Sequence, residues 1–166
     1  EYIEMIRLKT AVLLAASLEI GAIIGGAPVS DSDLLYNYGI NLGLAFQLRD
    51  DYLDAFGDPK EFGKQIGGDI KCNKKTYLLL TALERSEGAT AENLRNWINA
   101  NDVNDEKAKI QAVLDIYRET EADKRCEEAI QDFFEKSVVC AKSLQLPDDK
   151  KDILINLAYH LMGRKK

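Results

Sequence analysis

Three aspartates within five residues, Asp50-Asp51-Tyr52-Leu53-Asp54, are the densest chemical resource in this sequence. On a helix turning about 100° per residue they fall at roughly 0°, 100° and 40°, so all three share one arc of one face. Aspartate is a mediocre helix former, and like charges three or four residues apart repel by about a few tenths of a kcal/mol. Near a helix C-terminus the macrodipole adds roughly 0.3–1 kcal/mol against negative charge. No lysine stands three or four residues away to neutralise them, and Arg49 points about 100° off that arc. A divalent cation would offset these costs. Oxygen-only donors favour Mg²⁺ or Ca²⁺, and Mg²⁺ characteristically takes one or two carboxylates plus water and phosphate oxygens. The spacing is not that of a calcium-binding helix–loop–helix, which needs acids at alternate positions and a distant glutamate. By itself the run fits a solvated acidic face equally well.

The segment that follows supplies cations. Lys64 lies in Phe62-Gly63-Lys64, where glycine lets backbone approach a ligand, and Lys74 follows Asp69 and Asn73. Acids that hold a cation, followed by lysines that neutralise phosphate oxygens, are the parts of a metal–diphosphate clamp. Other chemistry is poorly provided for. One histidine (His160) and three scattered cysteines (Cys72, Cys126, Cys140) cannot assemble a standard zinc site. With no CxxC and an odd cysteine count, a disulfide framework is not expected, and the compartment is read as reducing and cytoplasmic. The net charge of −6 is spread evenly along the chain, which argues against a nucleic-acid face. The longest apolar stretch, residues 11–24, contains Ser17 and Glu19 and is too short to span a bilayer.

The elements that must position these residues all read as helices. An Ala/Leu/Ile-rich helix over 11–24 ends at Gly25-Gly26 and Pro28. Asp31, Ser32 and Asp33 offer N-caps for a helix bearing Leu34, Leu35, Tyr38, Leu42, Ala45 and Phe46, which Gly57-Asp58-Pro59 closes. The glycine-rich stretch after it is the least helical in the chain. Tyr77–Leu80 opens a buried helix, and Thr90 caps a short one carrying Leu94, Trp97 and Ile98. Ile110, Val113, Leu114 and Tyr117 match the helical template, and Cys126, Ala129, Ile130, Phe133 and Ser137 line the next face. Pro147 with Asp148 and Asp149 starts a last helix whose apolar positions are Ile153, Leu154, Leu157 and Leu161. No strand-type alternation occurs at length. The expected fold class is all-α.

These residues carry a family resemblance. Phe46-Gln47-Leu48-Arg49-Asp50-Asp51-Tyr52-Leu53-Asp54, then Gly57-Asp58, Gly63-Lys64, Gly68-Asp69-Ile70 and Asn73-Lys74, resemble the second aspartate-rich region of trans-isoprenyl diphosphate synthases, the polyprenyl synthetases. Lys9-Thr10 matches that family's Lys-Thr pair, and Arg164-Lys165-Lys166 resembles its basic C-terminus. The resemblance implies a helical bundle of the isoprenoid synthase type. It also implies Mg²⁺-dependent head-to-tail condensation of isopentenyl diphosphate with an allylic prenyl diphosphate, in a homodimer. Carried over by position, Asp50 and Asp54 would ligate Mg²⁺, with Asp51 a ligand or acting through water. Lys9, Lys64 and Lys74 would contact the allylic diphosphate, and Thr10 and Gln47 would lie near the reacting centre. Phe46 would border the isopentenyl group or pack as an ordinary core aromatic. Arg164 would fold over the isopentenyl diphosphate or belong to a frayed basic tail.

Members of the family also carry another aspartate-rich motif followed by arginines, and no such pentad occurs here. Asp148-Asp149 with Asp152 imitates it, but lysines follow Asp149 at once. Glu1 is not a start methionine, and helical pattern begins immediately at Tyr2. Residues 1–166 are therefore expected to be the C-terminal half of a single polyprenyl synthetase domain, inactive alone. Two alternatives remain open at this point: a non-catalytic helical subunit or binding module of the same fold, and a terpene cyclase, whose usual Asn/Ser/Glu metal motif is not seen.

Overall fold

The computed structural model describes residues 1–58, 66–100 and 105–163, and every regular element among them is helical. In chain order these are α1 (Tyr2–Ile6), a π-helical segment (Arg7–Ala11), α2 (Val12–Ile24), α3 (Val29–Phe56), α4 (Gly68–Lys71) and α5 (Tyr77–Arg85). They continue with α6 (Gly88–Asn99), α7 (Glu106–Glu119), α8 (Ala122–Ser143) and α9 (Asp148–Met162). The chain divides into two compact units, residues 1–49 with 129–163, and residues 50–128. Among the described residues, no helix is long and apolar enough to cross a membrane.

In the first unit the core is built from Tyr38, Leu42 and Ala45 of α3, Phe134, Val138 and Ala141 of α8, and Ala158 of α9. Leu18, Leu154, Ile155 and Leu161 pack around it. α2 stops as expected at its glycines. Ala27 N–H donates to Ala22 O at 3.0 Å and Gly26 N–H to Ile23 O at 3.1 Å, with Gly26 left-handed at φ 74°. α3 approaches the preceding helix very closely. A Cβ on Gly39 would stand 2.5 Å from Ala15 Cα, and one on Gly43 would stand 2.7 Å from Ala11 Cα. Glycines four apart on one helix and alanines four apart on the other let the two backbones meet.

Three expectations are corrected. α3 starts at Val29, directly after Pro28, whose carbonyl accepts from Asp31 and Ser32 N–H at 3.0 Å. Asp31 and Ser32 are thus buried inside the first turn rather than capping it. Asp31 instead accepts Gln145 N–H through both carboxylate oxygens at 3.1 and 3.3 Å, a tertiary tie no local rule reveals. Likewise α6 begins at Gly88, so Thr90 lies inside it and donates to Glu119 Oε1 at 2.7 Å. On α9, Leu154, Ala158 and Leu161 turn toward the core while Ile153 and Leu157 stay exposed.

In the second unit α7 is the hub, meeting α4, α5 and α6. Val113, Ile116 and Tyr117 are buried on it, beside Leu78, Leu79 and Ala82 of α5 and Ala91 and Leu94 of α6. Two helices of this unit carry side-chain caps that the sequence reading did not single out. Thr76 Oγ1 accepts Leu79 N–H at the start of α5, and Asp105 Oδ1 accepts Ala108 N–H at the start of α7. The stretch read as least helical contains the single-turn α4. α5, expected to be a buried helix, leaves Leu80 exposed.

Tyr38 has no exposed surface, and its hydroxyl donates to Leu154 O at 2.8 Å. Burial pushes this phenol up to about 12 from 10.0. The folded chain therefore keeps a proton that the unfolded chain releases. That stability is complete below pH 10 and is lost as pH rises toward 12. Tyr38→Phe is expected to cost about 1 kcal/mol at neutral pH and to flatten the alkaline fall by one proton's share. Urea melts of both proteins from pH 8 to 12 check this.

Candidate active site

The aspartate run occupies the last two turns of α3, where all three costs identified in the sequence apply. The three side chains are treated differently. Asp50 is exposed, Asp51 is 1% exposed, and Asp54 is half-buried. Lys74 Nζ lies 3.1 Å from Asp51 Oδ1 and 2.7 Å from Asp69 Oδ2, bridging the two carboxylates. Burial opposes the charge on Lys74, but the hydrogen bonds to Asp69 and Asp51 prevail and lift it to about 12. The cation missing from the helix face thus comes from a residue 20 or more positions downstream.

Asp54 is tied to the same turn. Its Oδ2 accepts Asp69 N–H at 2.8 Å, and its carbonyl accepts Gly67 N–H at 2.7 Å. Two glycines sit at the approach. Gly67 is left-handed at φ 84°, and a Cβ on Gly68 would stand 3.2 Å from Asp54 Oδ1. Burial raises Asp54 above its ordinary value. The Asp69 amide and Lys74 work against that rise, while the Asp69 and Asp50 carboxylates add to it. Among the described residues, no three His, Cys, Asp or Glu side chains are gathered as a ready-made cation cage. The donor set that remains is oxygen-only, with exposed Asp50 and half-buried Asp54 four residues apart. That fits the one- or two-carboxylate habit of Mg²⁺, with Asp51 turned to Lys74.

In the first unit, Lys9 and Thr10 sit within the π-helical segment, where Val12 N–H reaches back to Arg7 O. Such an extra residue in a helical turn is costly and often marks a working site. It leaves Lys9 exposed and lets Thr10 Oγ1 donate to Gln47 Oε1 on α3 at 3.2 Å. Phe46 is half-buried beside Gln47 in sequence. Lys64 and Arg164 lie outside the described residues.

Sequence reasoning missed the π segment, which has no compositional mark, and the part played by Asp69. It also passed over Lys109, which is 3% exposed. A signal for Lys109 was present: it stands four residues before Val113 on an otherwise apolar helical stripe.

The helical fold is the one seen in solved isoprenyl diphosphate synthases. The sequence pattern described as polyprenyl synthetase matches residues 1–117. The chain belongs to the polyprenyl synthetase family. It is 43% identical over 102 residues to a short chain isoprenyl diphosphate synthase of Methanothermobacter thermautotrophicus, covering 61% of this chain and 31% of that protein. A crystal structure of a geranylgeranyl pyrophosphate synthase superimposes with a TM-score of 0.89 at 41% identity, over 99% of this chain and 51% of that one. The Corynebacterium glutamicum geranylgeranyl pyrophosphate synthase, complexed with isoprenyl diphosphate and magnesium, gives 0.85 at 32% identity, over 98% and 46%. This chain therefore spans about half the length of the solved synthases it matches.

Because Asp54 titrates above its unfolded value of 3.8, its contribution to stability is present below that value and lost as pH rises through the folded one. At neutral pH its charge costs stability. Asp54→Asn keeps an oxygen for the Asp69 amide and is expected to raise the melting temperature of the metal-free chain at pH 7. The gain should shrink toward pH 4, as thermal melts at both values would show.

Proposed function

We propose that the complete protein carrying this chain is a trans-prenyl diphosphate synthase, working in the cytoplasm as a homodimer, and that these residues form its C-terminal half. Its substrates are isopentenyl diphosphate and an allylic prenyl diphosphate, with Mg²⁺ as the metal. The observation that carries this reading is the turn in which Lys74 bridges Asp51 and Asp69 while Asp50 and Asp54 keep oxygens available beside it. The magnesium-bound relative supports the choice of metal.

On this reading Asp50 and Asp54 hold the metal, and Asp51 acts from behind them by fixing Lys74. Magnesium, when bound, lowers the cost of the negative charge that develops on the departing diphosphate. Lys74, with Lys9 and Lys64, neutralises the remaining diphosphate oxygens, which matters most as the allylic C–O bond breaks and its electron pair leaves with diphosphate. The allylic carbon left behind is cationic, and the polar Thr10–Gln47 pair is suited to face it. The isopentenyl double bond then forms the new C–C bond, and loss of a proton restores an alkene. Phe46 borders the isopentenyl chain and Arg164 its diphosphate.

In the complete protein, Asp50→Ala and Asp54→Ala are each expected to lower turnover by about a hundredfold or more. Unchanged rates at saturating Mg²⁺ would refute the ligand assignment. A second readout needs no turnover. Millimolar Mg²⁺ should raise the melting temperature of this chain, and the double variant should abolish the rise. These 166 residues alone are expected to give no condensation product from radiolabelled isopentenyl diphosphate.

A further inference from the structure

The turn that delivers Lys74 is a helix stop built on the wrong residue. Lys74 N–H donates to Asp69 O at 2.9 Å and Asn73 N–H to Ile70 O at 3.2 Å, the paired bonds that close α4. This geometry requires a left-handed residue at position 73, and Asn73 adopts it at φ 51°. At the equivalent point after α2 the chain uses Gly26, which takes that conformation without strain. Asparagine tolerates it less well, and such strain persists where the surroundings over-determine it.

Those surroundings are specific. Asn73 Oδ1 accepts a hydrogen bond from Lys109 Nζ at 2.7 Å, and Asn73 Nδ2 donates to Ile98 O at 2.9 Å. Lys109 Nζ also reaches Lys71 O at 3.4 Å, so one ammonium spans two residues of the same turn. Glu106, one helical turn earlier on α7, pairs with Lys71 at 2.6 Å. Among the described residues, Lys109 Nζ bonds to two neutral oxygens, although the residue is almost fully buried. Burying a lysine against neutral dipoles is expensive. A methionine there would pack on the apolar stripe without that cost.

We propose that Lys109 and Asn73 are positioning residues for Lys74. Lys109 holds the Asn73 side chain from α7, and Ile98 holds it from α6. The left-handed turn is thereby locked so that Lys74 projects onto Asp51 and Asp69. Neither Lys109 nor Asn73 touches substrate. The inference rests on the reading of Lys74 as a diphosphate-binding lysine.

The test compares Lys74→Met, Lys109→Met, Asn73→Gly and the Lys74→Met/Lys109→Met double variant in the complete protein, with separate KM values for the two substrates. Lys109→Met is expected to raise the KM for the allylic diphosphate about tenfold, the scale of one lost hydrogen bond to a charged group, with the KM for isopentenyl diphosphate changed less than about twofold. The double variant should be no worse than Lys74→Met alone, because Lys109 acts only through Lys74. A merely structural role would instead add to the loss and move both KM values. Asn73→Gly keeps the turn accessible but releases the clamp, so it should fold and show the same selective rise even if Lys109→Met does not fold. The positioning role is overturned if Lys74→Met raises the allylic KM while Asn73→Gly and any folded Lys109→Met leave it within about twofold of the parent. An unchanged allylic KM in Lys74→Met would overturn the diphosphate role of Lys74 itself, and the positioning role with it.

Discussion

Lys74 standing between Asp51 and Asp69 is the interaction on which the acidic end of α3 depends. Without that cation, two carboxylates would crowd the negative end of α3, one of them almost wholly out of water. The arrangement is maintained from several directions. Asp69 ties its own amide to Asp54, Gly67 and Gly68 permit the approach, and the stop after α4 delivers Lys74 at the required place. On the proposed reading, charge complete in the resting protein would leave nothing for a ligand to satisfy. Asp54, raised by burial and by its acidic neighbours, is where that incompleteness shows.

The first unit meets a different constraint, the closeness of two helix backbones. Gly39 and Gly43 against Ala15 and Ala11 bring α3 hard against the preceding helix. Between α1 and α2 the π turn shifts the register of that helix, and Thr10 can then reach Gln47 while Ala11 and Ala15 keep facing the glycines. Close packing and polar pairing are met on one helix surface because one extra residue changes the phase between them.

Much of this was legible from spacing. The helices, the glycine stop after α2 and the shared face of the aspartates follow from local rules that act over about four residues. The errors share one cause. Asp31 and Thr90 have the side chains of N-caps, and local pattern alone offers no better use for them. Both are taken by distant partners, Gln145 N–H and Glu119. Ile153 and Leu157 matched an apolar stripe on α9, yet the face that packs is centred on Ala158.

The sequence by itself determined that the chain is helical, that its chemistry rests on carboxylates and lysines, and that its motifs are those of a polyprenyl synthetase. Periodicity, capping and motif spacing are written in neighbouring residues, so no folding is needed to read them. Only the tertiary structure decided what each aspartate does. Asp50, Asp51 and Asp54 are identical in type and nearly equivalent in spacing, but one is exposed, one is buried against Lys74 and one accepts the Asp69 amide. That difference arises from a turn whose contacts lie 15 and 23 residues away in sequence. Burial and charge depend on what lies across space, and the sequence does not state distances.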